Sequence, residues 1–444
     1  MALLPPELWI KILDHVARPV GDVGESKDWP SHSAHWQRGS PLKLATVCRD
    51  WRKLVHNFPD MWNSLSYAIS EHSFARGGPA GVRSWLARSG SRPLTLQFLC
   101  FCQDPLILNT FLEVFYPHFP RLVVLRVGLG GAIRGDILPI PRVDMPSCWF
   151  VDANFSNETY VAWFAPFFQN QLPGLRALQM REHTFTISHM PVERHIYKLT
   201  HLDAAANNFN MRPVDLLRGC PHIVVCRLHF SFGHSNGTSG VTAFKPFTLA
   251  HLRTLWINVQ YSYSWNDVFA DATFPALEEM TLIGSMWPVP TFAPFLERSC
   301  CPLRHLSLQG CNASATEVIG ILHAVTETLE TFYLSGHDFS DPPSFNDALL
   351  DALDPQLQDV FVPYLRSLEI STCGSLQTMD GRFLDMVRAR MTSTRTVALL
   401  HISLSCGLEE LNQPSFHKLD FAGLANLGQQ YPEMTVELSP DPFA

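Results

Sequence analysis

A six-residue pattern, Leu-x-x-Leu-x-Leu, returns along most of this chain and limits what it can fold into. Its cleanest copy is Leu303-Arg304-His305-Leu306-Ser307-Leu308, and Leu365-Arg366-Ser367-Leu368-Glu369-Ile370 and Leu199-Thr200-His201-Leu202-Asp203-Ala204 repeat it. Apolar residues two apart lie on one face of a short strand. The first apolar residue of each copy serves as an anchor, and the anchors are Leu122, Leu175, Leu199, Ile223, Leu252, Leu277, Leu303, Leu329 and Leu365. From Leu175 onward the steps between them are 24, 24, 29, 25, 26, 26 and 36 residues. Chance alternation would not hold a period near 25. A proline often stands just before an anchor, at Pro120, Pro173, Pro221, Pro275, Pro302 and Pro363. Proline cannot continue a helix, so each is expected to mark where a connecting helix stops.

Three copies also carry Asn207, Cys311 or Cys373 in the same place beyond the strand, where such a side chain can bond turn backbone. Spacing, strand and turn residue together resemble the leucine-rich repeat, whose units run to about 20 to 29 residues. The expected fold is therefore α/β, a curved solenoid of parallel strands alternating with helices. Helical stretches are expected at 316–322 and 383–387, strands at 94–98 and 397–402, and a closing helix and edge strand within 419–438. Residues between the core leucines should line the concave side: Arg126, Gln179, Asp203, Arg227, Trp256, Thr281, Ser307, Tyr333 and Glu369, flanked by His229 and Asn258. Trp, Tyr and Arg have the composition of binding hot spots, so Arg227, Trp256 and Tyr333 are the candidate substrate-binding residues. The alternative for Trp256 is that inserted loops or aromatic packing cover it.

Composition narrows the class. With 444 residues, 46% of them hydrophobic, the chain can bury a large core. A formal charge of −8 argues against a nucleic-acid partner. No apolar run approaches the length of a membrane span, and the first residues lack the pattern of a signal peptide. Eleven cysteines without a framework suit a reducing compartment, so the expected location is cytoplasmic or nuclear. Sequons at Asn154, Asn157, Asn236 and Asn312 are then read as chance.

The opening is different in kind. Residues 5–16 read as a helix with a proline start, 18–40 as a loop, and helical patterning resumes at 42–48 and 51–55 before Phe58-Pro59-Asp60-Met61-Trp62. This stretch resembles the F-box over about residues 3 to 66. Leu4, Pro5, Glu7, Leu8, Ile12 and Leu13 match the family's opening, Val47, Cys48, Arg49 and Trp51 its second signature, and Pro59, Met61 and Trp62 its end. The loop at 18–40 is longer than the family's usual link. The resemblance implies docking on a Skp-type adaptor and through it a cullin, with Leu4, Pro5, Glu7, Leu8, Ile12, Leu13, Val47, Cys48 and Trp51 as the adaptor-binding residues. The expected layout is a small all-α F-box segment at 1–66, a capping region at 67–93 and the solenoid at 94–438.

Catalytic and metal patterns are thin. Gly233-His234-Ser235-Asn236-Gly237 satisfies G-x-S-x-G, yet Gly and β-branched residues follow where a nucleophile elbow needs a helix. Cys300-Cys301 and Cys100-x-Cys102 lack zinc spacing. Nineteen histidines form no H-E-x-x-H. No cofactor, metal or catalytic residue is expected. The resemblance implies a non-enzymatic substrate receptor of an Skp–cullin–F-box ubiquitin ligase, binding an unknown protein target. The rivals are a non-degradative scaffold and a serine hydrolase built on Ser235.

Overall fold

The computed structural model describes residues 41–181 apart from 132, 134, 157, 170 and 171, together with 196–206, 213–230, 246–259, 266–284, 289–311, 313–336, 345–357, 361–372, 378–406 and 417–440. The chain divides into two compact units, residues 1–211 and 212–444.

In the first unit, α1 (Pro41–Val47) and α2 (Arg49–His56) are separated by the extended Cys48. Its Sγ accepts the Trp51 amide at 3.4 Å and so caps α2. A 3-10 turn, Pro59–Trp62, follows, and the buried Trp62 indole donates to the Val55 carbonyl at 2.7 Å. Next come β1 (Ser64–Ile69), α3 (Glu71–Ala75), α4 (Gly78–Arg88), β2 (Leu94–Cys100), α5 (Pro105–Phe115), β3 (Leu122–Leu129), β4 (Phe150–Phe155), α6 (Glu158–Phe164), β5 (Ala177–Arg181) and β6 (His201–Ala206). Each strand pairs in parallel with the next one in the chain.

The second unit runs α7 (Pro213–Arg218), β7 (Val225–Phe230), β8 (Phe247–Thr248), β9 (Thr254–Val259), α8 (Asn266–Phe269), β10 (Ala272–Thr273), β11 (Glu279–Ile283), α9 (Val289–Ser299), β12 (His305–Cys311), α10 (Ala315–His323), β13 (Thr331–Gly336), α11 (Asp347–Leu353), β14 (Ser367–Thr372), α12 (Arg382–Thr392), β15 (His401–Cys406), α13 (Lys418–Gln430) and β16 (Thr435–Pro440). Its main sheet keeps chain order from β7 to β16, while β8 and β10 pair separately. Parallel neighbours in chain order require crossovers of one hand, which puts the helices of a unit on one face of its sheet. Helices α9 to α13 each lie against the next. No helix among the described residues is long and apolar enough to cross a membrane.

All nine expected anchors are buried, at 0–1% exposure. From Leu175 to Leu365 each strand begins two residues after its anchor, so the expected register holds. Three elements differ from expectation. The strand expected at 397–402 begins at His401, two residues after the buried Leu399. Strand β4 was not expected, because its anchor position is Cys148, a small apolar residue in a leucine's place. Strand β1 spans the expected boundary at 66 and pairs with β2. Within the expected capping region, the chain turns through Gly77 in a left-handed conformation (φ 77°) into α4.

Of the six prolines expected to mark helix stops, Pro120 lies inside a 3-10 helix and four others sit in a turn. Pro173, Pro221, Pro275 and Pro363 each occupy the second position of a turn closed by the anchor's own amide, as in Leu175 N–H to Leu172 O at 3.1 Å. Fixed φ suits proline to that place, so the turn aims each strand into the sheet. Pro146 does the same before Cys148, whose amide bonds Met145 O at 3.2 Å.

Much of the core is aromatic. Phe98, Phe111 and Phe115 stack in the first unit, and Phe269, Phe274, Phe292 and Phe295 cluster in the second. Three arginines cap helix ends one repeat back. Arg121 donates to Leu86 O near the end of α4, Arg298 to Phe269 O ending α8, and Arg390 to Leu353 O ending α11. A cation at a helix C-terminus satisfies orphan carbonyls and opposes the dipole.

Candidate functional site

Strand alternation sends one set of side chains into the core and leaves the other on the face turned away from the helices. In the second unit the pairing lines up Arg227, Trp256, Thr281, Ser307, Tyr333, Glu369, Ser403 and Glu437 as one row across eight strands. All are half-buried except Glu437, which is exposed. The first unit carries its own row, Ser66, Gln97, Arg126, Asp152, Gln179 and Asp203. Every residue expected to line the binding side thus falls in one of the two rows, while the expected flankers His229 and Asn258 pair two positions farther along their strands.

The rows differ in what they leave accessible. Gln179 and Asp203 are only 2% and 5% exposed, and Gln179 Nε2 donates to Asp203 Oδ2 at 3.0 Å. These two are a buried polar pair, contrary to the expectation of an open surface. The Arg126 guanidinium lies over the Phe150 ring at 5.3 Å.

In the second unit, Trp256 packs on His229, with centroids 4.2 Å apart. That contact covers part of the indole and fixes it. His229 pairs in register with Asn258, whose Oδ1 is buried without a partner among the described residues. Trp256 and Tyr333 sit three strands apart, about 14 Å at the usual strand spacing. Farther along the row, Glu369 accepts from Ser367 Oγ at 3.4 Å and lies 3.6 Å from His401 Nε2. The row therefore runs from a cation and aromatic rings to an acidic end.

Where the strands begin, a second row alternates in charge: Arg253, Glu278, Arg304, Glu330, Arg366. Their backbones bond in sequence, with Glu278, Arg304, Glu330 and Arg366 amides each meeting the preceding carbonyl at 2.8–2.9 Å. Arg253–Glu278 and Arg304–Glu330 form side-chain pairs at 3.8 and 3.2 Å. A cleft of about 240 Å³ opens beside Arg304, Glu330, Tyr364 and Arg366.

Among the expected adaptor-binding residues, Val47 is 56% exposed at the end of α1. Cys48 and Trp51 are half-buried, and the Cys48 sulfur is occupied as the α2 cap. Leu4, Pro5, Glu7, Leu8, Ile12 and Leu13 lie outside the described residues, as do Ser235, Asn207 and Cys373.

Asp380, His417 and Asp420 place possible metal-ligating atoms within 4.8 Å of one another. Their bonds are structural, however. Asp380 Oδ1 accepts the Leu419 amide at 2.9 Å, Asp420 Oδ1 the Leu384 amide at 2.8 Å, and Asp420 Oδ2 faces His417 Nδ1 at 2.8 Å. The cluster ties the start of α13 to α12, and no sequence spacing announces it. No protein-family model matches the chain, and no curated protein matches it at a significant level.

Proposed function

We propose that this protein is the substrate-recognition subunit of a Skp–cullin–F-box ubiquitin ligase. Its opening helices would dock the Skp-type adaptor, and the second unit's row would hold a target protein. The observation that carries the target-binding half is the single register joining Arg227, Trp256 and Tyr333 on one sheet face. A row of this length suits an extended peptide better than a small molecule. Arg227 offers a partner for a carboxylate or phosphate, and the two aromatic residues offer large contact area at low entropy cost. The protein does no chemistry in this reading; it raises the target's effective concentration near the ubiquitin-carrying enzyme. The adaptor half rests on the F-box resemblance, and Val47 is the expected adaptor-binding residue that is exposed among the described ones.

A non-degradative scaffold is the second reading. It is favoured by the tight junction of the opening helices with the first repeat, where Trp85 Nε1 donates to the Trp62 carbonyl at 2.9 Å. Such helices could serve as a cap alone. Co-purification separates the two. The ligase reading expects the Skp-type adaptor with the wild-type chain and its loss with Leu8→Lys, Ile12→Lys; a chain that never retains the adaptor sinks it.

A further inference from the structure

Cys100 ends β2 and Cys102 follows in the turn to α5, with their sulfurs 3.0 Å apart. That is closer than two thiols in ordinary van der Waals contact, and short of a bond. Neither sulfur takes part in the surface proposed for target binding. We propose that Cys100 and Cys102 are a redox-sensitive vicinal dithiol, which a peroxide converts to an intrachain disulfide.

The surroundings favour one thiolate in this pair. The hydrogen bond from Cys100 lowers the pKa of Cys102, while the Cys100 thiol that donates it is held above its ordinary value. Burial does the opposite to the other interior cysteines, pushing Cys148 and Cys220 up to about 12 and Cys301 up to about 11. Burial and the Glu71 and Asp104 carboxylates work against that thiolate, so the hydrogen bond from Cys100 is what favours it. Both sulfurs are buried, with Cys100 at 1% and Cys102 at 0% exposure. An oxidant little larger than water suits such a site.

The chemistry balances. The Cys102 thiolate attacks one peroxide oxygen, the O–O bond breaks, and the departing hydroxide takes a proton to become water. Cys102 is then a sulfenic acid. The Cys100 sulfur attacks it, the S–OH bond breaks, and the second water leaves with the Cys100 proton. Two thiols lose two electrons in all, and one peroxide gains them. Closing the bond requires the sulfurs to approach by about 1 Å. The bridge would tie the end of β2 to the start of α5.

The test maps thiols on the folded full-length chain. The protein is treated with graded hydrogen peroxide, quenched, denatured, blocked with N-ethylmaleimide and cut with trypsin. The tryptic peptide 89–121 contains Cys100 and Cys102 and no other cysteine. It is expected to lose both maleimide adducts, weigh two hydrogens less than its unblocked reduced form, and regain both adducts after dithiothreitol. This should occur at doses where the exposed Cys300 keeps its adduct. A Cys100→Ser chain should stop at the sulfenic acid on Cys102, trapped by dimedone. Retention of both adducts at doses that oxidise Cys300 would overturn the proposal. Oxidation of Cys102 in the wild-type chain with Cys100 still blocked would do so equally.

Discussion

Trp85 donates its indole N–H to the backbone carbonyl of Trp62 at 2.9 Å, and the two rings meet edge to face with centroids 4.8 Å apart. The Arg88 guanidinium lies over the Trp62 ring at 4.6 Å. Through this pair, α2 and the 3-10 turn share a core with α4. Trp62→Ala should therefore cost about 3 to 5 kcal/mol. Trp85→Phe keeps most of the contact area but leaves a buried carbonyl unpaired, for a loss of about 1 to 3 kcal/mol. Urea melts followed by tryptophan-independent circular dichroism would check both. A Trp62→Ala chain as stable as the wild type would mean that the helices are only loosely attached.

A second prediction concerns acid. His118 Nδ1 accepts from Arg121 Nη2 at 3.2 Å, and burial with the nearby Arg121 charge holds its pKa below the ordinary 6.5. As pH falls through 6.5 the unfolded chain takes up the proton first, so unfolding is favoured increasingly until the native pKa is passed. The stability present above pH 6.5 is lost on that side. His118→Gln keeps an acceptor without a titration. Its melting temperature should drop less than that of the wild type between pH 7.5 and 5.5, by an amount worth under about 1 kcal/mol for a half-exposed group. Equal drops in the two chains would remove His118 from the acid response.

Arg390 gives the third. Its guanidinium is wholly buried and donates to Leu353 O at 3.0 Å, Phe361 O at 3.2 Å and Val362 O at 2.6 Å. Burial draws its pKa down to about 10, which still leaves it charged at neutral pH. Arg390→Met removes the charge but strands three carbonyls, and should cost about 3 kcal/mol or more. Arg390→Lys cannot span the fork and should recover little of that. The measurement is the denaturation midpoint at an unchanged slope. A midpoint within error of the wild type would show that water replaces the arginine.

A fourth prediction tests the row. Trp256→Ala, Tyr333→Ala should fold normally, since both residues are half-buried rather than in the core. It should still co-purify with the Skp-type adaptor while losing its protein targets in quantitative interactome profiling. Recovery of the same targets at the same levels would place binding elsewhere on the chain.

The period and the face of each strand were legible because both follow from side-chain alternation, which is local. Leu306 and Leu308 at 1% and 0% exposure, with Ser307 half-buried between them, show why. Strand β4 does not show in the leucine spacing because Cys148 stands in the anchor's place; Met145-Pro146-Ser147-Cys148, which repeats the turn before Leu175, is the signal that marks it. What the pattern could not carry is long-range. Arg390 reaches carbonyls up to 37 positions back, and Gln179 finds Asp203 across two strands. Nothing in the spacing of charges distinguishes that buried pair from the accessible part of the row.

The alternating charges at Arg253, Glu278, Arg304, Glu330 and Arg366 bear on assembly rather than on strength. Each ion pair is exposed and adds little to stability. Their order nonetheless acts as a parity check on folding. Were a strand to skip its neighbour and pair with the next but one, Arg253 would meet Arg304, or Glu278 would meet Glu330. Repeats that resemble one another are prone to that mistake. Like charges side by side would penalise it, so the sequence of signs helps the second unit to count its strands in the right order.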